Sequence, residues 1–470
     1  MPGIQRRSQL KRKTLRQAWP AVEKFKFPVF EAGIQQGAAT AAGRKGSPMK
    51  LKSIGRAALA TGMSLAIGLG STACSRDYTV AYVYSISSQN ATVSAYAVDY
   101  QSGALTQING SPFSGTGQNP VAVAVTPDGN FLYVVSQKDS NVVEYAIGTD
   151  GKLYGQNTYN LTGSFGTAAA VDSTGTYLYV TYRFQTGFGS GSPGPGGITI
   201  FPITQSGSNV GSLGTAINVN VGNNPVSIAI SNPTVLSGAT SSSVYAYVVD
   251  QETSTTGPSV IGFLQNQSNG NLTLLPGSSC TTTSPTACTG VKAGVQPSAI
   301  VVEPSTKYVY VTDEASNAII GYGINGAGPT AGGLTALNNS PFSTGTGTGL
   351  FPVNLTIEPR GKFLYTANQN SNTVSAFAIS ISDGSLSGVA TTGSATVGTS
   401  PTCVTVEPAL GIYLYTSNLV DSSISAEKID PNTGQLSGID NTPFTTGQDP
   451  TCVTAVANGN HAHAQSVIVN

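Results

Sequence analysis

One segment recurs along this chain of 470 residues: a proline, an alternating apolar strand, a turn and a tyrosine-rich strand. Weaker copies begin at 166 and 225, and a seventh first strand occupies 450–458. A third and a fourth strand follow each pair. Repetition of one small unit is typical of folds that stack equal modules around a shared core. The clearest copies are PVAVAVTPDGNFLYVVS (120–136), PSAIVVEPSTKYVYVTD (297–313), PVNLTIEPRGKFLYTAN (352–368) and PTCVTVEPALGIYLYTSN (401–418).

The two ends of the repeat region are complementary. Residues 79–86, 92–98 and 105–110 have the pattern of second, third and fourth strands, whereas 450–458 is a first strand without the partner that should follow. Joining the ends completes a seventh unit and leaves no open sheet edge. The sequence therefore predicts an all-β, seven-bladed β-propeller over 76–470. Each blade has four antiparallel strands, and the N- and C-terminal strands pair to close the ring. A two-sheet sandwich or two tandem β domains would lack this even spacing.

Composition agrees with short strands and many turns, since the chain has 56 Gly, 26 Pro and only 9% charged residues. The net charge of zero hides a division: residues 1–74 hold 13 basic and 2 acidic side chains, which leaves 9 basic and 20 acidic for residues 75–470. An acidic body is repelled by phosphate backbones, so no nucleic-acid binding is expected.

Residues 49–74 have the parts of a bacterial export signal: a basic segment at 50–56, an apolar run over 57–70 and small residues leading to Cys74. The run is too short to span a bilayer. The ending resembles a lipobox without its usual leucine, which predicts lipidation of Cys74 and a lipid-anchored protein of the bacterial cell envelope. The alternative is ordinary cleavage near Ala73 and a periplasmic or extracellular protein. Residues 1–48 are either a disordered leader or a mis-assigned start.

The other four cysteines suggest two disulfides in an exported protein. Cys280 and Cys288 enclose a short loop, and Cys403 and Cys452 occupy equivalent places in consecutive repeats. The alternative for the second pair is two small reduced core residues. No CxxC spacing is present, and the only two histidines, His461 and His463, lie in the C-terminal tail, so no metal site is expected. No cofactor is expected either.

Three repeats carry a glutamate before the proline that separates first and second strands. These residues are Glu303, Glu358 and Glu407. Because three units share the position, we predict solvated turn residues rather than a carboxylate cluster.

The repeat, with its YLYV-like second strands and the recurrent SPF and TPF tripeptides (111–113, 340–342 and 442–444), resembles the lactonase-like seven-bladed propellers. These include the bacterial 6-phosphogluconolactonases and the carboxy-cis,cis-muconate cyclases, and they overlap the YVTN-repeat surface proteins. The resemblance covers about 80–470, and it implies the propeller fold more strongly than any one activity.

In the enzymes of that family, an Arg-His pair on an inner strand and a glutamate after the next strand handle the substrate. Here Glu314 aligns with the glutamate and Asp313 precedes it, which makes both candidate catalytic residues. Ser298 and Ala299 stand in place of the Arg-His pair. The candidate ligand-binding residues are Ser298, Arg183 and Lys292.

Three functions follow from these observations. The favoured one is an exported propeller with divergent or lost catalysis that binds a small polar ligand, a glycan or an envelope protein. The alternatives are a lactone hydrolase of 6-phosphogluconolactonase type and a structural surface protein. A monomer is expected, with membrane contact only through the lipid anchor.

Overall fold

The computed structural model describes residues 79–192, 194–251, 257–280, 288–345, 349–389 and 394–459. The predicted leader, the signal peptide and Cys74 lie outside the described residues. Every regular element in the described part is a β-strand, and none of its segments is a helix long and apolar enough to cross a membrane.

The strands form seven antiparallel sheets, which we number as blades 1 to 7 from the sheet that contains Thr79. The first strands are Pro450–Ala457, Pro120–Val125, Gly163–Val171, Pro225–Ile230, Pro297–Val302, Pro352–Ile357 and Pro401–Val406. The second strands are Thr79–Ser87, Phe131–Ser136, Tyr177–Gln185, Val244–Asp250, Tyr308–Asp313, Phe363–Asn368 and Tyr413–Asn418.

The outer strands complete each blade. The third strands are Thr92–Asp99, Asn141–Ile147, Gly196–Pro202, Ser259–Gln265, Ala318–Ile324, Thr373–Ile379 and Ser423–Ile429. The fourth strands are Leu105–Gln107, Leu153–Asn160, Ile217–Val221, Leu272–Leu274, Leu334–Ala336, Leu386–Gly388 and Leu436–Gly438. Five blades add a short strand that pairs with the third: Phe113–Ser114, Val291–Lys292, Phe342–Ser343, Ser394–Thr396 and Phe444–Thr445. A small hairpin joins Ser279–Cys280 to Cys288–Thr289.

The seven first strands lie side by side around the centre, each in contact with those of the two neighbouring blades. Blade 1 joins the two chain ends, with a register that runs from Ala81 opposite Ala457 to Ser87 opposite Pro450. The predicted seven-bladed ring and its closure are confirmed.

The core lies between consecutive blades. Second strands are almost entirely buried because a neighbouring blade covers each of their faces. Apolar side chains on both faces of these strands are the expected result of such burial.

Each blade has its connections on two opposite faces of the ring. We call the face with the loops that precede first strands and follow second strands, such as 293–296 and 314–317, the loop face. The turn face carries the turns between first and second strands and between third and fourth strands, such as 303–307 and 325–333.

Both predicted disulfides are present. Cys280 is bonded to Cys288 across the small hairpin, and Cys403 is bonded to Cys452 between the first strands of blades 7 and 1. The second bond therefore lies beside the sheet that closes the ring.

The prediction that the three turn glutamates are solvated is wrong. Glu358 and Glu407 are fully buried, and Glu303 nearly so. Their carboxylates accept backbone N–H groups of their own turns; Glu407, for example, accepts from Leu410 and Ile412 at 2.8 and 2.9 Å. A buried carboxylate that accepts the N–H groups of a turn holds that turn in one conformation. The three glutamates are turn residues, as their shared position predicts, but their side chains face the interior rather than the solvent.

Candidate functional site

Glu314 begins the loop after the second strand of blade 5, on the loop face. Its backbone N–H donates to the Gln296 carbonyl at 2.9 Å, and the Gln296 side-chain amide donates to its carboxylate at 2.6 Å. The side chain is half-buried, and this burial raises the pKa of Glu314, while hydrogen bonds from Ser298 and Gln296 lower it in part. A carboxyl group in this setting holds its proton more readily than a solvated one.

Ser298 lies beside Glu314, but its hydroxyl also takes part in a contact between neighbouring blades. It lies 2.8 Å from the Thr312 hydroxyl and donates to the Pro352 carbonyl of blade 6 at 3.2 Å. Threonines at equivalent positions in three other blades make the same inter-blade hydrogen bond: Thr167 to Pro225, Thr402 to Pro450 and Thr451 to Pro120. Ser298 therefore belongs to a repeated contact that joins neighbouring first strands.

Asp313 is buried beneath the loop that leads into the first strand of its own blade. Its two carboxylate oxygens accept the backbone N–H groups of Val295 and Gln296 at 3.0 and 2.8 Å. Asp250 holds the corresponding loop of blade 4 in the same way. Asp139 and Asp421 each accept one such N–H in blades 2 and 7. This geometry gives Asp313 a positioning role, since it shapes the loop that carries Gln296.

Arg183 and Lys292 lie on strands of blades 3 and 4 rather than of blade 5. Arg183 is exposed on blade 3, where its guanidinium lies 5.4 Å from the centre of the Phe184 ring. Lys292 is exposed on the short strand that pairs with Ser259 and Val260 of blade 4. Among the described residues, neither cation forms an ion pair with Glu314.

Gln296 is the member of the site that the sequence analysis missed. Pro297 pairs with Asp313 in the antiparallel register of blade 5, so the residues just outside that pair, Gln296 and Glu314, must be neighbours. This pairing could have been inferred from the repeat, because the proline opens every first strand except that of blade 3 and the second strand ends opposite it.

Together these side chains can exchange hydrogen bonds with a polar ligand, and Glu314 can accept or release a proton. Within the described residues, no cluster of histidine, cysteine and carboxylate side chains suits a metal ion. A cavity of about 400 Å³ lies on the opposite, turn face, between blades 2 and 3, lined in part by Asp128, Phe131 and Gln205.

Comparison with known proteins assigns the chain to a family. The family model described as lactonase, 7-bladed beta-propeller matches residues 73–406. The chain belongs to this lactonase family. No curated protein matches the chain.

Solved structures similar to this lactonase-family chain have the same fold at low identity. A Bacteroides uniformis protein, provisionally called a 6-phosphogluconolactonase, is 18% identical with a TM-score of 0.60, over 80% of this chain and all of that one. The Pseudomonas aeruginosa periplasmic gluconolactonase is 17% identical with a TM-score of 0.60, over 80% of this chain and 99% of that one. At these identities the likeness establishes the fold alone.

Proposed function

We propose that this lactonase-family propeller is a lipid-anchored binding protein of the bacterial envelope that holds an uncharged polar ligand, such as a glycan, on its loop face. Its Arg-His positions are occupied by Ser298 and Ala299, and this observation carries the proposal. Ala299 is buried in the core and the Ser298 hydroxyl is engaged with Pro352, so neither offers a charge or a base to a lactone.

Lactone opening requires an activated nucleophile and donors for the oxyanion that forms as the carbonyl is attacked. The side-chain amide of Gln296 donates to Glu314, and no cation pairs with the carboxylate among the described residues. Amide and carboxylate groups instead match the hydroxyls of a neutral sugar, which both donate and accept hydrogen bonds.

Two observations support export. Disulfides persist in oxidising compartments, and the described residues contain two of them. One structural neighbour is a periplasmic protein. Lipidation at Cys74 is tested by mass spectrometry of the mature N-terminal peptide and by Cys74→Ser, which should release the protein from the membrane fraction.

A second candidate, lactone hydrolysis, is favoured by one observation: burial raises the pKa of Glu314, as suits a group that transfers protons near neutral pH. In that mechanism Glu314 would take a proton from water as the water attacks the lactone carbonyl, and the Gln296 amide would donate to the oxyanion.

One experiment separates the two candidates. The mature protein is assayed against gluconolactone and 6-phosphogluconolactone and titrated calorimetrically with neutral oligosaccharides, beside Glu314→Gln and the turn-face control Asp383→Asn. We expect no lactone turnover, and binding heat that Glu314→Gln abolishes while Asp383→Asn retains it. Turnover by the wild type that disappears in Glu314→Gln would refute the binding proposal in favour of hydrolysis.

A further inference from the structure

The chain enters the propeller on the turn face. Thr79 begins the second strand of blade 1, next to the end of the last first strand, where the Asn458 side chain donates to the Thr79 carbonyl at 2.9 Å. The Asn458 backbone N–H donates to the Val80 carbonyl at 3.0 Å. The first described residue is thus fixed to this face of the ring.

Cys74 is only five residues before Thr79 in the sequence. An extended chain advances at most about 3.6 Å per residue, so a lipid attached to Cys74 can lie no farther than about 18 Å from Thr79. The loop face lies one strand's length from the turn face, and the nine-residue strand Thr79–Ser87 spans about 27 Å at about 3.3 Å per residue. Such a short tether keeps the turn face closer to the bilayer than the loop face.

The turn face also displays large apolar side chains. Five of the nine such side chains that are exposed among the described residues lie in or beside the turns of blades 1, 2, 3, 4 and 6, and they are between 39% and 75% exposed. These residues are Tyr100, Tyr154, Val210, Val235 and Ile381. Three others, Phe165, Val295 and Val420, lie on the loop face. Tyrosine favours the boundary between water and hydrocarbon, where its ring is apolar and its hydroxyl stays hydrated.

We infer that the turn face rests on the lipid surface, with these five side chains in the headgroup region and the loop face turned away. The inference depends on the lipid anchor of the proposed function, and it departs from the expectation that only the lipid touches the membrane. Scattered apolar residues of this kind would bind a bilayer weakly on their own. Attachment through Cys74 makes their binding intramolecular, so weak contacts suffice to select an orientation.

The charged residues of the turn face are compatible with contact between this face and an anionic bilayer. Exposed lysines 307, 362 and 428 share the turn face with exposed aspartates such as Asp383 and Asp430. The face is therefore less repelled by anionic headgroups than the acidic excess of residues 75–470 suggests. The Glu314 site, on the loop face, would then open toward the surrounding solution and its ligands.

The test places one fluorescent label on each face of the full-length lipidated protein. Ile381→Cys lies on the turn face, and Val420→Cys is a matched aliphatic control on the loop face, 65% exposed against 75% for Ile381. Because the four cysteines of the described residues are paired in disulfides, a thiol-reactive dye labels the introduced residue. The proteins are reconstituted into phosphatidylethanolamine–phosphatidylglycerol vesicles that contain a spin-labelled lipid quencher.

We expect quenching at position 381 and none at position 420, with the quenching at 381 reduced by the added changes Tyr100→Ser and Tyr154→Ser. Flotation of the vesicles reports the anchor separately. Protein that floats with the vesicles but is quenched equally at both positions would overturn the orientation and leave the anchor standing. Protein that does not float would refute the anchor, and the orientation with it.

Discussion

A tyrosine and a glycine make the same contact at seven places around the ring. In each blade, the third residue of the YLYV-like stretch donates its hydroxyl to a glycine carbonyl in the turn between third and fourth strands of the next blade, at 2.6 to 3.1 Å. The aromatic residue two positions earlier packs its ring over the same glycine. The donors are Tyr84, Tyr133, Tyr179, Tyr247, Tyr310, Tyr365 and Tyr415. Both aromatic positions of the repeat therefore make contacts between neighbouring blades.

These glycines are required for two reasons, which Gly384 illustrates. Its φ of +71° is disfavoured for residues with a Cβ, and a Cβ there would overlap the Tyr308 ring. We expect Gly384→Ala to lower the free energy of unfolding by about 2 to 4 kcal/mol, from backbone strain and overpacking together. Gly388→Ala, four residues later and facing open space, is the control and should change it by less than about 0.5 kcal/mol. Urea unfolding measures both, and equal effects would contradict this explanation.

Glu427 is a buried carboxylate on the third strand of blade 7, where the equivalent residues of blades 5 and 6 are Tyr322 and Phe377. Burial raises the pKa of Glu427 from 4.5 to about 7. The folded state then binds a proton that the unfolded chain releases between these values, so stability falls as pH rises from 4.5 to 7. The cost is absent below pH 4.5 and complete above pH 7, where it is about 3 kcal/mol.

Replacing Glu427 with Gln keeps the shape and removes the titration. We expect Glu427→Gln to be more stable than the wild type at pH 8, with the difference shrinking toward pH 4.5. Urea denaturation at several pH values measures this, and parallel stability curves for the two proteins would show that Glu427 does not titrate in this range.

At the scale of elements, the seam between blades 7 and 1 is reinforced by the Cys403–Cys452 disulfide. It closes a segment of 49 residues, whereas Cys280–Cys288 closes one of 8. Loop-closure entropy gives about 4 kcal/mol for the longer segment and about 2 to 3 kcal/mol for the shorter one. We expect Cys403→Ala with Cys452→Ala to lower the free energy of unfolding more than Cys280→Ala with Cys288→Ala. The reverse order in urea unfolding would mean that local geometry outweighs chain entropy.

The sequence predicted the four strands of each blade, because burial between neighbouring sheets imposes an apolar pattern on them. It did not predict the short fifth strands, such as Phe113–Ser114 and Phe444–Thr445. Two-residue strands are too short to show a period, and their pairing depends on where the preceding turn directs the chain. The SPF and TPF tripeptides that lead into three of them were noticed as repeats, but not as the start of a strand.

The site was predicted in position rather than in role. Alignment with the family placed Glu314, Asp313 and Ser298 together, and the structure has them at one end of blade 5. The roles of Asp313 and Ser298 depend on hydrogen-bond partners that cannot be identified from the sequence of one repeat. Asp313 satisfies two loop N–H groups, and Ser298 bonds the neighbouring blade. Arg183 and Lys292 are candidates because of their charge, and charge alone does not determine where in the ring a side chain lies.

In the whole ring, each blade contacts the next and blade 7 contacts blade 1. These contacts do not depend on where in the ring the chain begins. Moving residues 450–459 to precede Thr79 through a short linker would keep every strand pair and place new termini in the loop before blade 1. Deleting the same residues would expose the edge of Thr79–Ser87 and remove a neighbour from the first strands of blades 7 and 2. Exposed edges of this kind pair with other chains.

We therefore expect the permuted protein to unfold cooperatively near the urea midpoint of the unpermuted Cys403→Ala, Cys452→Ala protein, and the truncated protein to aggregate or unfold at a much lower one. Both variants carry Cys403→Ala, and the permuted protein also carries Cys452→Ala, so that neither the lost disulfide nor a free thiol distinguishes them. Urea unfolding with size-exclusion chromatography makes the comparison. A truncated protein as stable and monomeric as the permuted one would show that six blades hold together without the seventh. In that case the stability of the molecule would come from contacts between successive blades, and closure of the circle would add little.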